Sequence, residues 1–143
     1  MPAICLAKEA SAFSAPTFVY ISAAGGAPVL PQRYITSKRQ AEDTISSQFP
    51  SMRSVFIRPG MLWDSSRSFT IPLMAATYAG AMANSLVGGR LTGLMGAGGV
   101  KPLKADLVAE ATVEAVADSG VKGPVEIPAI EELAARQWRR EMH

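Results

Sequence analysis

Two short runs of β-branched and aromatic residues, Thr17-Phe18-Val19-Tyr20-Ile21-Ser22 and Ser54-Val55-Phe56-Ile57-Arg58, do most to constrain this fold. Neither alternates apolar with polar residues, so each reads as a strand buried on both faces. Between them, residues 33–48 read as a helix closed by Pro50. Strand, helix, strand is a βαβ unit, and such units build parallel sheets. The alternation continues on both sides. Residues 3–13 look like the end of an alanine-rich helix, with Leu6, Ala10 and Phe13 at helical spacing and Pro16 stopping it. Asp106 is a candidate N-cap for a helix running to about residue 118 and ended by Ser119-Gly120. Val125-Glu126-Ile127 reads as a short strand. Residues 129–141 read as a last helix, acidic at its start (Glu131, Glu132) and basic at its end (Arg136, Arg139, Arg140), which suits the helix dipole. The expected class is α/β, with one domain over residues 1–143 and no internal repeat.

Composition narrows the function. At 143 residues and 48% hydrophobic, the chain is long enough for one core and too apolar to stay disordered. A net charge of +2, with no basic run interleaved with aromatics, argues against nucleic acid. One cysteine, Cys5, and one histidine, His143, exclude an internal disulfide, a zinc site and a histidine-based triad. Cys5 is expected to be a small buried hydrophobe. No secretory signal and no Arg-rich presequence is legible at the start, so the chain is either cytosolic or begins after its targeting segment.

The segment Tyr34-Ile35-Thr36-Ser37-Lys38 carries the chemistry. At positions i and i+4 of a helix the phenol and the ammonium share a face. A neighbouring ammonium favours phenolate, so the couple can exchange protons with a substrate oxygen, while the lysine can bond a sugar hydroxyl. From Ile71 to Gly89 no residue is charged. Its small residues fit a buried or interfacial helix better than a spanning one, with peripheral membrane contact as the alternative. Gly93-Leu94-Met95-Gly96-Ala97-Gly98-Gly99 is glycine-rich like a phosphate loop. Lys101-Pro102 follows where a helix would be needed, so a surface loop is the expectation.

Taken in order, "FVYISAAGG", "YITSK", "VFIRPGMLWD" and "KPLKADLVAEATVEAV" resemble the C-terminal half of an atypical or extended short-chain dehydrogenase/reductase, the branch holding NAD-dependent epimerase/dehydratase proteins. The spacing of Gly25-Gly26-Ala27-Pro28, Lys38-Arg39-Gln40-Ala41-Glu42 and Asp64-Ser65-Ser66-Arg67 resembles fungal mitochondrial members linked to coenzyme Q (ubiquinone) biosynthesis, relatives of the NAD(P)-binding accessory subunit of respiratory complex I. The resemblance implies the C-terminal part of a Rossmann-like doubly wound parallel sheet, with the N-terminal glycine-loop half missing. It implies NAD or NADP as cofactor and a mitochondrial location. It puts the catalytic tyrosine and lysine on Tyr34 and Lys38 and a hydroxyl on Ser22, and sets Arg58-Pro59-Gly60 against the nicotinamide. Two plainer readings stand beside these: Ser22 as a strand-end cap, and Arg58-Pro59-Gly60 as a strand-ending turn. Ala23 stands where many relatives carry a second, catalytic hydroxyl.

Two function classes follow. One is the C-terminal portion of an NAD(P)-binding oxidoreductase or epimerase-like protein of ubiquinone biosynthesis, with this chain itself inactive. The other is a non-catalytic component of a mitochondrial inner-membrane complex that keeps the fold.

Overall fold

The computed structural model describes residues 2–25, 32–64 and 102–141, plus Ala79, Met82, Ala83, Leu86 and Gly88, with side chains described as far as Arg136. Helix α1 spans Pro2–Ala12. It ends in paired reverse bonds, from Ala15 N–H to the Ala10 carbonyl at 2.9 Å and from Ser14 N–H to that of Ser11 at 3.0 Å. This Schellman arrangement needs a left-handed residue, and Ser14 supplies it at φ 56°. The reversal directs the chain into β1, Thr17–Ile21, which is followed by α2, Gln32–Gln48, and β2, Arg53–Ile57. β1 and β2 pair in parallel, with Val19 opposite Val55 and Tyr20 opposite Phe56. β5, Gly123–Val125, joins the far side of β2, also in parallel, giving the order β1-β2-β5. A second, two-stranded parallel sheet pairs β3, Leu62–Trp63, with β4, Leu103–Lys104. β4 leads directly into α3, Ala105–Ala117, and α4, Ile127–Glu141, follows β5.

Alternate side chains of a strand leave opposite faces, and here both faces are covered. Phe18, Tyr20 and Phe56 pack with Ala7, Ile45 and Met52 under α1 and α2. Val19, Val55, Ile57 and Val125 pack with Val108, Ala111, Ala115, Ile130 and Leu133 of α3 and α4. That double covering explains why the strand sequences lack polar alternation. Arg53 fastens the α3 layer to the sheet from the amino end of β2. Its guanidinium donates to the carbonyls of Ala115, Val116, Asp118 and Val121 at 2.7–3.0 Å and to Thr17 Oγ1 at 2.8 and 3.1 Å. It thereby satisfies carbonyls that the end of α3 would otherwise leave unpaired.

The class is as expected: a parallel α/β sheet wound on both faces, consistent with part of a Rossmann-like fold. Details differ from the sequence reading. The last strand is Gly123–Val125 rather than 125–127, because α4 starts at Ile127. Pro128 sits in its first turn, where a missing N–H costs nothing. Glu131 and Glu132 consequently fall beyond the first turn, and Glu132 pairs with Arg136 at 2.6 Å. Asp106 is not the N-cap of α3. Lys104 holds that position without a side-chain bond to the helix backbone, and Asp106 lies in the first turn, paired with Lys104 at 2.6 Å. Cys5 is exposed, not buried, because Ala7 takes the inward position on α1. The stretch 71–89 falls mostly, and the Gly93–Gly99 segment wholly, outside the described residues. Among the described residues no helix is long and apolar enough to cross a membrane.

Candidate functional site

Open parallel sheets present ligand sites at the carboxyl ends of their strands. Ser22, Arg58 and Glu126 are the residues that immediately follow β1, β2 and β5 there. Ser22 and Arg58 are tied together by Glu42, which α2 projects inward from the same face as Ala41 and Ile45, and Arg58 in turn holds Glu126. Glu42 is only 3% exposed, so its charge must be compensated by protein groups.

The compensation is dense. Arg58 Nε lies 3.2 Å from each Glu42 carboxylate oxygen, and Arg58 Nη2 donates to Oε2. The remaining arm, Nη1, donates to Glu126 Oε1 at 2.7 Å. From one turn earlier on α2, Arg39 Nη1 donates to Glu42 Oε1 at 2.7 Å and to Ser22 Oγ at 3.3 Å, and its Nη2 to the Ala23 carbonyl at 2.8 Å. The Ser22 hydroxyl itself donates to Glu42 Oε1. Two guanidinium groups thus face two carboxylates: Glu42 joins the ends of β1 and β2, and Arg58 carries the link on to Glu126 after β5. Burial alone would push the Glu42 carboxyl up. The hydrogen bonds from Arg58 and Ser22, and the charges of Arg39 and Arg58, outweigh it and hold the group below its ordinary value. Reciprocally, Glu42 holds Arg58 above its ordinary value against partial desolvation, with help from Glu126.

The residues nominated from the sequence are divided by this geometry. Lys38 Nζ donates to the Ile21 carbonyl at 2.9 Å, at the end of β1. It stands 4.6 Å from the Tyr20 ring centroid and 5.6 Å from that of Tyr34, so Tyr34 and Lys38 do share a face. Both distances fall within cation–π reach. Lys38 and Tyr20, with Pro2, Ala3, Ser37 and Ala41, line a cleft of about 320 Å³ between α1, α2 and β1. Tyr34 is exposed. Ser22 is engaged with Glu42 and Arg39, and Arg58 with Glu42 and Glu126. Pro59 is buried, and its carbonyl accepts the Ala24 N–H at 2.7 Å, tying the turn containing Gly60 to the segment after β1. Glu42 as the centre of the cluster, and Glu126 as a member of it, were not nominated. The available signal was a carboxylate on the apolar stripe of α2, between Ala41 and Ile45.

The fold therefore defines a parallel α/β protein whose strand ends are joined by an internal ion-pair network. No protein-family model matches the chain. Over 61 residues it is 38% identical to MIOREX complex component 2 of Saccharomyces cerevisiae, a stretch that makes up 43% of this chain and 22% of that protein. The chain thus matches less than a quarter of the length of that relative. These findings correct the resemblance to short-chain dehydrogenase/reductases, together with the ubiquinone-biosynthesis and oxidoreductase readings drawn from it. "FVYIS" and "VFIRPG" are the buried strands and strand-ending turn of a parallel βαβ unit, so their likeness reports the fold and not a family.

Proposed function

We propose that this chain is a structural component of a mitochondrial multiprotein complex, with the parallel sheet serving as a rigid mount. The observation that carries the reading is the 38% identity to a protein named as a complex component. The site geometry supports it: Ser22 donates to Glu42, Arg58 to Glu42 and Glu126, and Lys38 to a backbone carbonyl. Groups committed in this way stiffen the junction of β1, α2 and β2 rather than wait for a ligand. Exposed apolar side chains, Leu6 and Phe13 on and after α1 and Val113 and Val116 on α3, offer surface for neighbouring subunits. The mitochondrial location that the family resemblance implied agrees with the likeness to that component.

The test is native electrophoresis of detergent extracts from purified mitochondria of the source cells, with the chain tagged at its own locus. The reading expects the tag in mitochondria and in a species far heavier than the 15.1 kDa chain. A free chain, or one confined to the cytosol, would refute it. The nicotinamide nucleotide implied by the earlier resemblance is tested separately by NADH fluorescence titration. A structural component shows no saturation below roughly millimolar concentration, which corresponds to about 4 kcal/mol of binding.

A further inference from the structure

The amino ends of the strands hold a second feature, remote from the Glu42 network. A cleft of about 590 Å³ opens where β2 and β5 begin, lined by Ser46, Phe49, Met52, Arg53, Ser54 and Lys122 among others, with no carboxylate among the described residues of its wall. Two cations border it. Lys122 is exposed, and no hydrogen bond or ion pair with another described residue engages its ammonium. Arg53 is fully bonded, yet every acceptor it has is a neutral oxygen, the Thr17 hydroxyl and four backbone carbonyls. Its donors are spent, but its charge still acts on the cleft. The hydroxyls of Ser46 and Ser51 add small, rotatable donors, that of Ser54 donates to the Met52 carbonyl at 3.4 Å, and Phe49, Pro50 and Met52 give an apolar flank.

We propose that this cleft binds a phosphate monoester. Its phosphate would be held by Lys122 and the hydroxyls of Ser46 and Ser51 in the field of Arg53, and its carbon skeleton would lie on Phe49 and Met52. Positive charge without a carboxylate partner selects an anion, and phosphate has enough acceptor oxygens to engage several donors at once. The monoester could be a free metabolite or the headgroup of an anionic lipid, since the recognised chemistry is the same.

Two titrations of the full 143-residue chain separate the sources. One uses glycerol 3-phosphate, followed by calorimetry at low salt. The other uses phosphatidylcholine vesicles with and without phosphatidic acid, followed by co-flotation. Saturable binding in either arm supports the site, and the arm that saturates identifies the source. Lys122→Gln is expected to weaken it roughly tenfold or more, as loss of one charge-assisted bond should. Lys8→Gln, on α1 and not part of the cleft wall, is expected to leave it unchanged. Thermal melts of both variants control for folding. Absence of saturation in both arms would overturn the proposal, as would equal losses in the two variants.

Discussion

Replacing Glu42 with glutamine removes one charge and leaves volume almost unchanged, so it isolates the electrostatic role of the network. Glu42 is 3% exposed, while its partners Arg58 and Arg39 are 18% and 27% exposed. In the variant, Arg58 keeps Glu126 and Arg39 keeps the Ala23 carbonyl, but both lose the carboxylate they share. Breaking a buried pair from one side costs about 3–5 kcal/mol. Partial exposure of both guanidinium groups lets water recover some of that, so the lower end, about 3 kcal/mol, is expected. In a domain of this size that corresponds to a fall in melting temperature of roughly 6–12 °C. Urea titration followed by circular dichroism at neutral pH measures it directly. The pH dependence supplies the signature. The native carboxyl is held below its reference value of 4.5, so its stabilising contribution is complete above that value and is lost as pH falls through the lower native one. The difference between wild type and Glu42→Gln should therefore shrink on acidification below pH 4.5. A difference under about 1 kcal/mol, or one that does not change with pH, would refute the account of a charged keystone.

Three further outcomes are expected. Arg53→Met should destabilise the chain by about 2–4 kcal/mol in urea melts, because the carbonyls of Ala115, Val116 and Asp118 at the end of α3, and that of Val121 before β5, lose this donor. Arg53→Lys should recover only a small part of this, since an ammonium cannot reproduce the planar fork, and full recovery would contradict the capping role. Ile45→Ala should cost about 2–5 kcal/mol by opening a cavity beneath α2, where Ile45 is fully buried. Cys5 is exposed and should react stoichiometrically with a thiol reagent in native buffer, whereas a thiol that reacts only in denaturant would place α1 wrongly.

How much of this was written legibly in the sequence depends on the range of the interactions. β1, α2 and β2 were readable because unbroken β-branched runs and a proline-bounded helix are local signals, and their parallel pairing follows from the connection. Boundaries slipped where one residue had two uses. Ile127 reads as the end of a strand and instead opens the last helix, with Pro128 in its first turn. Cys5 looked like core because its chemistry is apolar, but the phase of α1 puts Ala7 inward. Tyr34 and Lys38 do meet on one face, as a helical spacing requires. The Glu42 network could not be assembled from spacing, because Ser22, Glu42, Arg58 and Glu126 are brought together by three strand ends and a helix. What the sequence offered was a carboxylate among apolar neighbours on α2. Reading it required asking which distant cations would neutralise it.

Genetic replacement of Tyr34 and Lys38 tests the central claim, that this chain serves by its structure. Tyr34 is exposed and Lys38 bonds a single carbonyl, so Tyr34→Phe with Lys38→Met should leave the fold within about 1 kcal/mol of wild type. The measurement is native electrophoresis of mitochondrial extracts, taken alongside growth, from cells carrying this double variant or Glu42→Gln as their sole copy. The account predicts a heavy complex and normal growth for the double variant, and a depleted complex for Glu42→Gln. A double variant that still assembles fully but fails to support growth would contradict it, and would assign chemistry to the Tyr34–Lys38 pair.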